Sequence, residues 1–127
     1  MATKTNKGRW FKTRELAWAA GLFEGEGCVF SAGQNKYGYQ YTALAVNMTD
    51  EDSVRRFAAA VGVGNVRGPI LKTSAFVNKP VWEWRIANFE QVQAVIAMLW
   101  FGLGTRRRAR ATELLLSDSR RAVRQAA

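Results

Sequence analysis

The sequence predicts an α+β fold in which the elements follow the order αββαββ and end in C-terminal helices. Helix start and stop signals bound four segments, and alternating polar and apolar residues mark strands between them. The chain has 127 residues, of which 48% are hydrophobic, which suits one core of ordinary size. We therefore expect a single domain over residues 1–127, with residues 1–12 as a basic arm and residues 117–127 as a basic tail.

The first αββ unit begins with a helix over residues 13–24, because apolar residues recur there at helical spacing. Gly25 and Gly27 follow this helix and are expected to end it. A short strand is predicted over residues 29–32. A second strand is predicted over residues 39–48, where polar and apolar side chains alternate.

The second αββ unit begins at Thr49, which is predicted to cap a helix that ends at Gly62. Acidic residues follow the cap, where the helix dipole favours anions. In the fourth strand, Trp82, Trp84 and Ile86 are expected to face the core, with Glu83 and Arg85 on the opposite face. Asn88 is expected to cap the third helix. The remaining predicted strands and helices occupy residues 63–71, 81–87, 89–101 and 105–122.

The charge of the chain is concentrated at its two ends. The net charge is +9, and basic and acidic residues number 5 and 0 in residues 1–14, 7 and 8 in residues 15–104, and 7 and 2 in residues 105–127. Such a balance favours a polyanionic partner, either a nucleic acid or an acidic membrane surface. A flexible, solubilising tail is the alternative interpretation of the C-terminal charge.

Several classes of site are excluded by composition. The chain has no histidine, which removes histidine metal sites and imidazole general bases, and its single cysteine cannot form an internal disulfide. The N-terminus does not resemble a signal peptide, and the longest apolar run is far shorter than a membrane span. We expect an intracellular, cytoplasmic protein with no membrane partner and no small-molecule cofactor.

The first helix carries small residues at Ala17, Gly21 and Gly25, spaced four apart on one face. Such a face lets a second helix approach closely, and a symmetric dimer is the simplest source of that helix. Glu24 and Glu26 lie at the C-terminal end of the same helix, where the dipole disfavours acids. A divalent cation such as Mg²⁺ would offset this charge and the repulsion between two copies. The alternative is a buried helix rich in glycine and alanine, with a solvated acidic end.

Residues 19–27, which read AAGLFEGEG, resemble the LAGLIDADG motif of homing endonucleases. The αββαββ order is similar to that family's core over about residues 13–116. The chain has one copy of the motif. Chains of that family with a single motif are homodimers, so the resemblance implies a homodimer. The resemblance implies an antiparallel, saddle-shaped sheet over double-stranded DNA. It also implies Mg²⁺-dependent hydrolysis of phosphodiesters at a long pseudo-palindromic site.

The resemblance also implies roles for individual residues. Glu26 matches the acidic metal ligand, and Gly25 matches the position whose backbone carbonyl assists. Asp50 matches a polar residue that holds solvent near the metal, although plain helix N-terminal charge explains it equally well. Arg106 matches the basic residue near the scissile phosphate, and its arginine neighbours compete for that role. The implied dimer interface consists of Ala17, Ala20, Gly21, Glu24 and Gly25.

In that family, alternate strand residues enter the major groove of DNA, which accommodates a two-stranded ribbon. The residues expected to contact DNA are Gln34, Tyr41, Asn47, Arg67, Lys72, Arg85, Arg107 and Arg108. Two alternatives remain open at this point. One is a catalytically inactive protein of the same fold that binds DNA or RNA, as maturases and regulators do. The other is a monomeric RNA-binding protein that uses its basic arm and tail.

Overall fold

A computed structural model describes residues 2–33, 38, 40–71 and 79–126. The order of elements confirms the predicted αββαββ arrangement with two further helices. The elements are α1 (Ala2–Glu26), β1 (Gly27–Ala32), β2 (Tyr41–Met48), α2 (Glu51–Val61), β3 (Asn65–Ile70), β4 (Val81–Ile86), α3 (Phe89–Leu99), a 3₁₀ turn (Trp100–Gly102) and α4 (Thr105–Ala126).

Helix α1 is longer than the sequence predicted, since it begins at Ala2 and includes most of the expected basic arm. Residues 2–12 contain no proline, and an existing helix grows by one hydrogen bond for each residue added. Gly25 does not end the helix, which continues to Glu26. Gly27, the first residue of β1, lies against the ring of Phe23, which leaves no room for a Cβ atom at this position.

Helices α2 and α3 each begin after a polar N-cap residue, and α2 ends at a glycine. Asp50, and not Thr49 as predicted, occupies the N-cap position of α2. Gly62 ends α2 in the left-handed conformation (φ 76°), and its N–H donates to the carbonyl of Ala58 at 2.9 Å. Asn88 caps α3 as predicted, because its side-chain oxygen accepts the N–H of Gln91 at 3.1 Å.

The four strands form one antiparallel sheet in the order β1-β2-β4-β3. Val46 of β2 lies opposite both Gly27 of β1 and Trp84 of β4, which fixes the register of the central strands. The pairing of β3 with β4 shifts between Arg67 and Ile70, where the strand contains Gly68 and Pro69.

Helices α1, α2 and α3 cover one face of the sheet and form the core with it. Leu44, Val46 and Trp84 are fully buried there, as predicted, whereas Trp82 is only half-buried. The rings of Phe57 and Trp84 meet edge to face at 4.7 Å. The indole N–H of Trp84 donates to a backbone carbonyl at 2.8 Å, so this buried polar group is satisfied.

An ion pair joins α1 to α2 at the surface. The guanidinium of Arg56 donates through two nitrogens to the carboxylate of Glu15, each at 2.9 Å, and lies 3.9 Å above the ring of Trp18. The hydrogen bond from Arg56 lowers the pKa of Glu15 below its ordinary value. Among the helices that the structure describes, none is both long enough and apolar enough to cross a membrane.

Candidate nucleic-acid interface

The face of the sheet that points away from the core helices carries four of the eight predicted contact residues. Residues directly opposite each other in an antiparallel pair share a face. One row across the strands consists of Cys28, Ala45, Arg85 and Asn65, and the next consists of Asn47, Glu83 and Arg67. We call this surface the outward face.

The centre of the outward face is made of small side chains. Ala43 and Ala45 of β2 are buried, although they point away from the core helices. Phe30 lies opposite Ala43, and the guanidinium of Arg85 lies 5.3 Å above the Phe30 ring. Because alanine side chains are short, the larger side chains on the neighbouring strands extend further from the sheet than Ala43 and Ala45 do. The middle of the outward face is therefore a shallow strip.

An open cleft of about 570 Å³ lies where the outward face meets α4. Three arginines of α4 line it opposite a single glutamate, so the cleft is basic and suits a phosphate group. Arg106 and Arg110 are four residues apart and therefore share one face of the helix. The lining residues are Gly27, Cys28, Val29, Phe30, Ala45, Asn47, Glu83, Arg106, Arg107 and Arg110.

The arginines of α4 are bonded in different ways. Nε of Arg107 donates to the backbone carbonyl of Glu24 at 3.0 Å, and Nε of Arg108 donates to that of Trp100 at 3.0 Å. Arg106 is exposed and makes no hydrogen bond or ion pair with any residue in the described ranges. It is therefore the arginine of this run that is most available to an external phosphate.

The two acids at the end of α1 have different surroundings. Glu24 accepts the backbone N–H of Gly104 at 3.0 Å, and its carboxylate lies 3.5 Å from Nε of Arg107. It therefore ties the end of α1 to the start of α4. Glu26 is exposed and has no hydrogen-bond or salt-bridge partner within the described part of the chain.

The predicted catalytic residues lie at one end of the sheet. Glu26 directly precedes Gly27, which lines the basic cleft, and β1 begins opposite the end of β2. Asp50 follows β2 by two residues, is exposed, and accepts the hydroxyl of Ser53 at 2.6 Å. Among the residues that the structure describes, no three acidic, cysteine or histidine side chains group closely enough to bind a metal ion.

The small residues of α1 form an exposed stripe. Ala17, Gly21 and Gly25 are exposed, and apart from the adjoining backbone of α1 no atom of the described residues lies within 4 Å of a Cβ built at either glycine. Ala20, which the sequence analysis grouped with them, is only 1% exposed because it packs against Gly102 in the same chain. The stripe therefore consists of Ala17, Gly21 and Gly25.

The predicted DNA-contacting residues lie on two surfaces. Tyr41, Asn47, Arg67 and Arg85 belong to the outward face, and Arg107 and Arg108 belong to the first turn of α4. Gln34 and Lys72 lie outside the described residues. The sequence analysis missed Arg110, although its spacing from Arg106 could have indicated it. Phe30 and Cys28 were also missed, because their strand pairing was needed to assign them to this face.

No protein-family model matches the chain, and no curated protein matches its sequence significantly. Solved structures do match. The homing endonuclease I-CvuI, in complex with its target in the presence of calcium, is 20% identical, with a TM-score of 0.67 over 84% of this chain and 67% of that chain. The chain has the LAGLIDADG homing endonuclease fold.

Two further structures support this fold. The homing endonuclease I-TnaI is 19% identical, with a TM-score of 0.63 over 83% of this chain and 74% of that chain. The group I intron-encoded homing endonuclease I-CeuI, complexed with DNA, is 16% identical, with a TM-score of 0.60 over 88% of this chain and 60% of that chain. The fold that the resemblance of the motif implied is thus confirmed.

Proposed function

We propose that this protein is a homodimeric, site-specific DNA endonuclease that cleaves both strands by metal-assisted phosphodiester hydrolysis. The observation that carries the proposal is an open glycine stripe on α1 that leads to an exposed Glu26, which has no partner among the described residues and lies beside a basic cleft. The structures that share this fold are homing endonucleases. I-CvuI was solved with its target and I-CeuI with DNA.

The dimer is supported by the cost of glycine within a helix. A glycine in a helix interior destabilises it by about 0.5–1 kcal/mol relative to alanine. Nothing in the described chain approaches Gly21 or Gly25 closely enough to require the absence of a side chain. Close approach of the same stripe from a second copy accounts for both glycines, and it brings two Glu26 residues together at one end.

The oxygen ligands at this end fit a divalent metal. Glu26 offers a free carboxylate, and the carbonyl of Gly25 lies in the last turn of α1, where carbonyls lack a helical partner. Mg²⁺ prefers such hard oxygen ligands and usually retains several waters. When bound, the metal would activate water and offset phosphate charge.

The chain's own residues would bind and orient the DNA. Arg106 and Arg110 line the basic cleft and would contact the backbone phosphates beside the scissile bond. Asp50 would orient solvent near Glu26, and the outward face would contact base edges in the major groove. Each subunit would supply one Glu26, so that one subunit acts on each strand.

The proposal is tested by replacing Glu26 with glutamine. A plasmid library with random inserts is incubated with the protein and Mg²⁺, and cleaved sites are identified by sequencing. Wild-type protein is expected to produce double-strand breaks at one long site. Glu26→Gln should lower cleavage about a thousandfold or more, corresponding to roughly 4 kcal/mol of transition-state stabilisation, without weakening DNA binding in gel shifts.

The matched control is Glu90→Gln, which changes an exposed acid in the first turn of α3, away from the cleft. This variant should cleave like the wild type. Cleavage that persists in Glu26→Gln would refute the assignment of Glu26. Tight, specific DNA binding without any cleavage by the wild type would instead identify the protein as a binding protein of this fold.

A further inference from the structure

Arg67 and Glu83 form an ion pair on the outward face. They lie opposite each other on β3 and β4, and Nε of Arg67 donates to Oε1 of Glu83 at 2.8 Å. The side chain of Glu83 is 13% exposed, whereas that of Arg67 is 71% exposed. The carboxylate therefore lies low on the face, and the guanidinium extends beyond it.

The hydrogen bond leaves part of the guanidinium free. It uses Nε alone, and Arg67 makes no other hydrogen bond within the described parts of the chain. Both terminal nitrogens therefore keep their protons for an external acceptor. Two parallel donors from arginine to O6 and N7 of guanine are the commonest sequence-specific contact in the major groove.

The Arg56–Glu15 pair has a different geometry. Arg56 uses both Nε and one terminal nitrogen on the carboxylate, and it also lies against an aromatic ring. That arrangement occupies the edge of the Arg56 guanidinium formed by these two nitrogens, and it joins two helices of the same chain. The Arg67–Glu83 pair instead leaves the outer edge of its guanidinium open.

The position of the pair in the sheet matches the dimensions of DNA. Asn47, Glu83 and Arg67 form one row across β2, β4 and β3. Adjacent strands lie about 4.8 Å apart, so this row spans roughly 10 Å. The major groove is about 12 Å wide and can accept such a row. Because β3 is an edge strand of the sheet, none of the described strands covers Arg67 from that side.

We propose that Arg67 recognises a guanine in each half-site and that Glu83 positions its guanidinium for that contact. This inference rests on the proposed binding of DNA by the outward face. A carboxylate that already fixes the guanidinium reduces the conformational entropy that would be lost on binding. Glu83 is thus a positioning residue, and Arg67 is the residue that contacts the base.

The test is selection of bound sequences from a random pool of double-stranded DNA, followed by sequencing. The wild type is expected to prefer guanine at one position of each half-site by about tenfold or more. Arg67→Lys keeps the charge but loses the planar pair of donors. It should remove the guanine preference at that position alone and leave the salt dependence of binding unchanged.

The control variant is Arg55→Lys. Arg55 also donates through Nε to a glutamate, Glu51, at 2.7 Å, but both residues lie on helix α2. This variant should leave the selected motif unchanged. Glu83→Gln should weaken the same guanine preference as Arg67→Lys without shifting the unfolding midpoint. The double variant should show little additional loss, because the two residues act as one unit.

Three results would overturn the inference. A guanine preference that survives Arg67→Lys would contradict it, and so would a loss spread evenly over all positions. Either result leaves the proposed DNA-binding function intact. If the wild type selects no motif at all, the proposed function fails and this inference fails with it.

Discussion

The two faces of α1 have opposite relations to the rest of the chain. On the inward face, Ala19, Ala20 and Phe23 are buried against the chain's own core. On the opposite side, no described residue beyond the adjoining backbone of α1 comes within 4 Å of the Cβ positions of Gly21 and Gly25. The inward face follows ordinary packing rules. Close approach of a second helix, as we propose, would account for the two glycines of the stripe, which share one face and include the end of α1.

The two acids at the end of α1 extend this comparison. Glu24 is bonded to Gly104 and Arg107 of its own chain, whereas Glu26 has no partner within the described ranges. Two acids that are nearly adjacent in sequence therefore have different surroundings. Glu24 stabilises the junction of α1 with α4, and we propose that Glu26 supplies the chemistry.

The largest expected effect comes from filling the stripe. Gly21→Leu should leave the fold intact, because the site is open and leucine favours helix more than glycine by about 0.5–1 kcal/mol. It should nevertheless abolish double-strand cleavage, because the partner helix could no longer approach. Cleavage assays and circular dichroism test this pair of outcomes.

Gly8→Leu is the matched control, since Gly8 is another exposed glycine of α1 with open space around it and lies on a different face. This control should retain cleavage. If Gly21→Leu cleaves as well as the control does, the stripe is not an interface.

An intermediate effect should distinguish the two acids by stability. Glu24→Ala removes the acceptor for the Gly104 N–H and should lower the free energy of unfolding by about 1 kcal/mol. Glu26→Ala should leave it unchanged or raise it by a few tenths of a kcal/mol, because it removes a negative charge from a helix C-terminus. Urea denaturation in the absence of divalent metal measures both. Equal losses would contradict the division of roles.

The smallest expected effect is a pH-dependent change in stability from the Arg56–Glu15 ion pair between α1 and α2. The hydrogen bond from Arg56 lowers the pKa of Glu15, so this pair stabilises the fold fully above the ordinary glutamate pKa of about 4.3. That contribution is lost as pH falls through the lowered pKa of the folded state. Glu15→Gln should therefore be slightly less stable than the wild type near pH 6. The difference should shrink in acid, and a difference independent of pH would contradict this account.

Much of the fold could be predicted from local signals. Alternation in the strands and capping at Asn88 and Gly62 were sufficient for the order of elements. The full length of α1 could not be predicted, because no stop signal separates residues 2–12 from the motif helix. The predicted cap at Thr49 was wrong by one residue, since both Thr49 and Asp50 have capping side chains and only the backbone geometry distinguishes them.

The candidate site was less predictable because it depends on pairing across the sheet. The resemblance already distinguished Glu26, as the implied metal ligand, from Glu24, but the bond from the Gly104 N–H to Glu24 within the same chain could not be predicted from the motif. The predicted Ala20 belongs to the core because Gly102 packs against it, and helical spacing does not reveal that contact. The Arg67–Glu83 pair likewise required the register of β3 against β4.

The most direct test of the central claim is the mass of the wild-type protein in solution. The claim is that a second copy covers the stripe of α1 that consists of Ala17, Gly21 and Gly25. Light scattering at low and high salt should give twice 14.2 kDa, and the dimer should persist at high salt because the helix contact is made by packing. A mass of 14.2 kDa at all concentrations would contradict the claim, because it would leave the glycine stripe uncovered and each Glu26 without a partner.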